Sequence, residues 1–342
     1  MPTPDQILAW RGQQQARDLA WSLTSKELPK LDYVNSLTKQ DYGTLSRKQI
    51  TELPSTPLLE PKKRLGLYFE QLWQLLVSHH FNQTVIAANR QIIHAGATLG
   101  ALDLLSYCDQ KRTYFHYELA VKFYLEAKYS DQATGWIGPN SRDRLDLKLD
   151  RLLNHQLPLA LDPRARLQID QWLANKEMPS IESTKFKQKL VMKGWLFQHY
   201  QQPTGLEHSD YVNQECSNGR WLHYGETPHW LEQHGKTDKH WLLLPRLYWL
   251  SPAKCPVDFV KNLSPTELGA YSQLYLETPI LLNTQSLTKL MQGQRKIPNA
   301  QALLVAEVEL GADHWLEKRR FMWVNDYWPA SMTAIARPSR NK

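Results

Sequence analysis

Cysteine is scarce in this chain: three in 342 residues, at Cys108, Cys216 and Cys255. An odd, widely spaced set builds neither a disulfide framework nor a zinc-binding pattern, and it fits a reducing compartment. No apolar run approaches the roughly 18 residues of a membrane-spanning helix. The opening, MPTPDQILAWRGQQQARD, lacks the apolar stretch and small-residue cleavage site of a secretory signal, so the cytoplasm is the expected location. The motifs GxxxxGK[ST], GxGxxG and GxSxG are missing, which argues against P-loop, dinucleotide-binding and esterase chemistry. Charge is not strongly one-sided. The net charge of +7 and pI near 9.1 tolerate a polyanionic partner without demanding one, and the excess is spread apart from Lys185, Lys187, Lys189 and the tail Arg337, Arg340, Lys342.

What the chain does have is enough apolar residue, 42%, for a substantial core, and 13 tryptophans concentrated in its second half. Residues 4–24 show helical spacing of Ile7, Leu8, Trp10, Leu19, Trp21 and Leu23. Residues 25–60 are polar and proline-bearing and read as a surface connection. Pro61 opens a helix over about Lys62 to His80, with Leu65, Tyr68, Phe69, Leu72, Leu75 and Leu76 as its apolar stripe and Glu70 at its edge. Three strands follow, at Thr84–Ile93, Gly100–Ser106 and Tyr114–Leu125. A helix capped by Asn140 or Ser141 runs to about Gln156, and a shorter one covers Arg164–Asn175. Beyond a polar boundary near residue 180, patches such as VMKGWLF, GRWLHYG and HWLLLPRLYWL read as strands. Residues 264–292 read as helix, with Gly293 ending a segment from Ser286. Ala302–Leu310 and Phe321–Val324 read as a strand pair around Gly311.

The chemistry concentrates in Leu99–Leu125. Side chains alternate along a strand, so Tyr117, Leu119, Val121, Phe123 and Leu125 face a core. His116, Glu118, Ala120, Lys122 and Tyr124 share the other face. Asp103 sits in the apolar strand ALDLL. Carboxylates in apolar strands are costly unless paired or ligating. If the two strands pair, Asp103 and Glu118 converge, and their hard oxygens suit Mg²⁺ or Mn²⁺. Lys122 would then supply the cation beside a phosphodiester, and Glu70 a further carboxylate. A structural ion pair of Asp103, Glu118 and Lys122 is the alternative. Elsewhere, His79, His80 and His94 have no metal-ligand spacing with a cysteine. Glu307 and Glu309 share a strand face, either as a second carboxylate pair or as the wet side of an amphipathic strand.

This order of elements and charges resembles the PD-(D/E)XK nuclease superfamily, whose core is helix, three strands, helix. The match places Glu70 on the first helix, Asp103 on the second strand, and Glu118 with Lys122 on the third. It covers about residues 62–157. The usual lysine position, two after the glutamate, is Ala120 here. Lys122 lies two further on, and a lysine is long enough to reach back. The phrases RDLAWSL, LGLYFEQLW, LDLL, HYELAVKFYL and WIGPNSRDRLDLKLDRLLNHQ more closely resemble an uncharacterised bacterial family, the domain of unknown function numbered 1853, over most of the chain. The resemblance implies an α/β (α+β) fold with a restriction-endonuclease-like core and a second, tryptophan-rich α+β module. The expected division is 1–60 as N-terminal helix and connection, 61–180 as core, and 181–342 as the second module. The implied function is Mg²⁺- or Mn²⁺-dependent hydrolysis of phosphodiester bonds in nucleic acid, with DNA as the expected polymer and no membrane partner. Glu70, Asp103 and Glu118 are the expected metal ligands and Lys122 the catalytic cation. Arg142, Arg144, Lys148 and Gln156 on the following helix are candidate phosphate-backbone contacts, or a solvated helix face. The rival expectation is a non-catalytic nucleic-acid-binding or protein-interaction module that retains the fold.

Overall fold

The computed structural model describes residues 4–30, 58–59, 64–127, 135–202, 212–234, 239–263, 267 and 278–329. The expected connection at 25–60, the first part of the expected helix at 264–292 and the basic tail lie largely outside these residues. The described architecture is mixed α+β, with a large mixed sheet and helices on both of its faces.

Helix α1 spans Pro4–Thr24 and α2 spans Leu65–Leu75, continued by one wide turn through His80. Strands β1 (Thr84–His94), β2 (Ala97–Cys108) and β3 (Thr113–Glu126) follow, with the two-residue β4 at Trp136–Ile137. Helix α3 (Leu145–Arg151) extends through Leu152–Gln156, and α4 covers Pro163–Ala174. Next come β5 (Lys185–His199), β6 (Ser217–His223), α5 (Thr227–His234), β7 (His240–Leu244), β8 (Lys254–Pro256) and β9 (Lys261–Asn262). The chain closes with β10 (Ile280–Asn283), α6 (Thr284–Arg295), β11 (Leu303–Leu310) and β12 (His314–Val324).

The strand order is β1-β2-β3-β5-β6-β12-β11-β7-β10-β9, with β4 beside β3 and β8 beside β12. Strands β3, β5, β6 and β12 run parallel at its centre. The sheet therefore runs unbroken across residue 180, where a module boundary was expected. Strand β5 of the second half lies along β3 of the first for thirteen paired positions, Thr113↔Lys185 to Leu125↔Phe197. Such pairing is non-local and leaves no mark on composition. Helix α1 is likewise part of the main core: Trp10 stacks on Tyr248 and Phe259, and Leu19, Trp21 and Leu23 are buried with α2 against the sheet.

The period-2 reading of β3 holds in detail. Phe115, Tyr117, Leu119 and Leu125 pack in the cluster that includes α1 and α2. Ala120 and Tyr124 pack with Leu145 and Leu152 of the α3 segment on the opposite face. Farther along that face, α4 covers β1 and β2 through Ile169, Trp172 and Leu173, and α5 and α6 cover β7, β10, β11 and β12.

Three local expectations change. Helix α3 begins at Leu145, behind Arg144, and not at an Asn140 or Ser141 cap. The reason is a tight turn in which Gly138 N–H donates to Asp143 O at 2.7 Å and Ser141 takes φ +58°. Residues 280–283 are strand, not helix: Ile280 and Leu282 are buried, and the segment pairs with β7. The helix starts only after Asn283, whose side chain accepts from Ser286 N–H at 2.8 Å. Gly293 does not end it; α6 continues to Arg295. Glu307 and Glu309 form cross-strand ion pairs, Glu307 with Arg319 at 2.5 Å and Glu309 with Lys318; Glu309 is exposed, whereas Glu307 is largely covered.

One glycine fixes the central pairing. Gly194, opposite Lys122 on β3, has φ +148°, and a Cβ there would lie 1.6 Å from the Lys122 carbonyl oxygen. Gly194→Ala must part β3 from β5 and is expected to cost about 3 kcal/mol or more. A urea midpoint within experimental error of the wild type would refute that assignment.

Candidate functional site

The site forms where β2 and β3 separate. Their ladder covers only Leu104–Cys108 against Tyr117–Thr113. Beyond it, Ala97–Leu102 pairs with β1, while β3 continues along β5. Asp103 stands at the fork. Its Oδ2 accepts the Leu119 backbone N–H at 2.8 Å, so a carboxylate fills the place of a strand neighbour. That single bond explains why an acidic residue interrupts an apolar strand at this point.

Glu118 is fully buried one residue before Leu119. Its Oε1 meets His116 Nε2 at 3.0 Å, and its Oε2 accepts from Gln156 Nε2 at 3.1 Å. Burial pushes His116 down to about 4, so the ring is neutral at pH 7 and its Nε2–H donates to the carboxylate. Gln156, from the end of the α3 segment, in turn accepts from Lys148 Nζ at 3.1 Å. Asp103 and Glu118 are close enough for each to act on the other's proton affinity.

The electrostatics follow from this crowding. Burial, and then the charge of Glu118, raise Asp103 to about 7. Burial raises Glu118 to about 7 against the opposing pull of Lys148. Glu70, on α2, also rises to about 7, through burial and then the charges of Asp103 and Glu118. Asn89 Nδ2 donates to Glu70 Oε2 at 3.3 Å. The three expected carboxylates thus share one electrostatic site, although their oxygens do not all fall within 4.8 Å of one another. Among the described residues, only His199, His223 and Glu226 form a group of three acidic, histidine or cysteine ligands that does so.

Lys122 is not at this site. Its Nζ contacts Asp143 Oδ2 at 2.5 Å, and Tyr124 OH donates to Asp143 Oδ1 at 3.2 Å. The physical reason is distance. Four residues of strand separate Lys122 from Glu118 by about 13 Å, and an acidic partner lies close by in the turn before α3. Lys122 therefore anchors that turn. The cation beside the carboxylates is Lys148, which feels both Asp103 and Glu118; burial and then Lys122 lower its proton affinity. The other two expected phosphate contacts diverge. Arg144 forks onto Asp146 at 2.9 and 2.6 Å, while Arg142 is exposed on the turn. His116 carries a role the sequence reading did not assign. Its signal was the i, i+2 spacing with Glu118 on one strand face.

The carboxylate set fits a divalent cation. Burial first, and for Asp103 and Glu70 the charge of neighbouring carboxylates second, raises the proton affinity of all three carboxyls, so a bound cation would favour their ionised form. All-oxygen donors suit Mg²⁺ or Mn²⁺, which bind through one or two carboxylates and keep water.

Comparison with curated proteins gives no match, and neither does comparison with solved structures. The family model described as Domain of unknown function (DUF1853) matches residues 4–324. With its helices, forked sheet and carboxylate site all inside that span, the chain belongs to the DUF1853 family.

Proposed function

We propose that this protein is a metal-dependent phosphodiesterase with a PD-(D/E)XK-like core, acting on nucleic acid, with DNA as the expected polymer. The observation that carries the reading is the Asp103–Glu118 pair held at the fork of β2 and β3. A protein that only bound a polyanion would gain nothing from burying negative charge where a phosphate must lie. Asp103 and Glu118 would hold the cation, with Glu70 as the third carboxylate. When bound, the ion would polarise the phosphoryl group and lower the pKa of an attacking water. The reducing cytoplasm is the proposed compartment, and the free, buried Cys108, Cys216 and Cys255 are compatible with it.

The residues of the chain have separable tasks. Leu119 N–H fixes the Asp103 carboxylate. His116 and Gln156 orient Glu118 from two sides. Lys148, held by Gln156, places positive charge where it can stabilise developing charge on phosphorus. Lys122 acts through Asp143 on the position of α3.

The test is cleavage of single- and double-stranded DNA and RNA with Mg²⁺, Mn²⁺ or EDTA. Lys148→Met is expected to lose on the order of 10²–10³-fold in rate. Lys122→Met, at a residue whose ammonium serves the α3 turn, should lose far less. The absence of cutting in every metal would favour the non-catalytic module. Equal losses in the two lysine variants would refute the assignment of Lys148.

A further inference from the structure

A second cluster lies at the carboxyl ends of the parallel strands, about 30 Å from Glu118 by the nine residues of β5 that separate Leu190, its partner, from His199. His199 ends β5, His223 ends β6, and Glu226 lies in the turn that leads into α5. The carboxyl ends of parallel strands are where open sheets commonly place ligands.

His199 Nε2 sits 3.1 and 3.2 Å from the two Glu226 oxygens. His223 Nδ1 is 3.2 Å from Glu226 Oε2. All three donor atoms lie within 4.8 Å of one another. Tetrahedral zinc with bonds near 2.1 Å places neighbouring donors about 3.4 Å apart.

The protons of His223 sharpen the case. Its Nε2 lies 2.8 Å from Trp328 O. A carbonyl only accepts, so Nε2 carries the hydrogen. The neutral ring then turns its Nδ1 lone pair toward Glu226, whose backbone N–H it accepts in a reciprocal capping pair while the carboxylate Oε2 lies 3.2 Å from the same nitrogen. Two groups of like character are held together, and either a proton on Nδ1 or a cation between them resolves the contact. A ring whose outer N–H is tied to a backbone carbonyl is the usual support for a metal-ligating histidine. Further order comes from His223 N–H, which donates to Glu226 Oε2 at 2.8 Å, and from the reciprocal capping pair the two residues make. The rings of Trp221 and Tyr200 flank His199 at 4.6 and 4.8 Å, which gives the cluster an apolar wall. His199 is buried, whereas the His223 and Glu226 side chains are 23% and 26% exposed, which leaves an entry path.

We propose that His199, His223 and Glu226 form a binding site for one Zn²⁺ ion, a His₂Glu set with its fourth position open to solvent. Two imidazoles and one carboxylate favour zinc over Mg²⁺ or Ca²⁺, which take oxygen ligands. The site ties β5 to β6 and to the segment after β12 through Trp328. It does not depend on the phosphodiesterase reading.

The experiment uses the full chain, stripped with a chelator and titrated with Zn²⁺ against a chromophoric competitor. One zinc per chain is expected. His223→Gln and Glu226→Gln should each weaken binding at least 100-fold, while Asp103→Asn, at the other site, should leave it unchanged. X-ray absorption on the zinc-loaded wild type should show two imidazole ligands, a readout that survives if either variant fails to fold. Sub-stoichiometric binding would show that the cluster is a protonated His223–Glu226 pair alone and overturn the proposal. Zinc without imidazole scattering, or zinc lost in Asp103→Asn, would overturn it as well.

Discussion

Glu118→Gln is expected to abolish metal-dependent cleavage and, at the same time, to make the metal-free protein more stable above neutral pH. The loss in cleavage should be on the order of 10²–10³-fold or more, because the substitution removes a charge from the proposed metal site. The gain in stability comes from the same charge. Glu118 rises from 4.5 to about 7 in the folded protein, chiefly through burial. The folded state therefore binds its proton more tightly than the unfolded state does. The linked stability is fully present below the unfolded value and is lost as pH rises toward 7. At about 1.36 kcal/mol per pKa unit, the upper bound for Glu118 alone is roughly 3 kcal/mol at pH 8. Asp103 and Glu70 share the repulsion, so about 2 kcal/mol is a fairer expectation.

The amide should be accepted without a packing defect. Gln156 still donates to one oxygen, and His116 can change tautomer to accept from the new amide. Thermal unfolding in EDTA between pH 5 and 8 gives the readout. The wild type should lose stability relative to Glu118→Gln as pH rises, and the gap should close when Mg²⁺ is added, because only the wild type gains from binding it. A Gln variant less stable than wild type at pH 8, or one that cuts at the wild-type rate, would remove Glu118 from the site.

The contrast between Glu118 and Lys122 shows how far sequence reached. Both stand on one face of β3, and alternation alone placed them there. Alternation says which face a side chain takes but not how far along the strand it can act. Lys122 went to Asp143, a competitor held in a turn whose geometry depends on Gly138 and Ser141. Lys148 looked like part of a mixed-charge helix face. Only the packing of α3 over β3 turns it toward Asp103 and Glu118. The course of β5 was illegible for a related reason. A strand that pairs in parallel with β3 from 72 residues away leaves no local signal, so the tryptophan-rich half looked like a module of its own when it continues the same sheet.

Arg320→Met should be among the most destabilising single substitutions in the chain. Arg320 is 2% exposed. Residues three apart on a regular strand face opposite ways, yet Arg320 and Glu317 meet. The reason is an irregularity in β12: Glu307 pairs with Arg319 and Val308 with Glu317, so Lys318 is extra. One inserted residue returns Glu317 to the face of Arg320. The guanidinium donates to Glu317 from Nε at 2.8 Å and from Nη2 at 2.9 Å. It also donates to Trp249 O at 2.5 Å and Ser251 O at 2.9 Å, and it stacks 3.9 Å above the Trp195 ring. Ser251 passes the connection on to the buried Asp18 of α1, at 2.6 Å through its hydroxyl. Removing the cation strands the Glu317 carboxylate and two carbonyls in the core, for an expected cost of about 3–5 kcal/mol. Glu317→Met combined with Arg320→Met removes both charges. It should recover roughly half of that loss and no more, because Ala253 N–H also loses its acceptor on Glu317. Urea denaturation of the two single variants and the double variant closes the cycle. An Arg320→Met protein within about 1 kcal/mol of wild type would mean that the loop at 249–253 repacks around water, and that this pair does not hold β12 to α1.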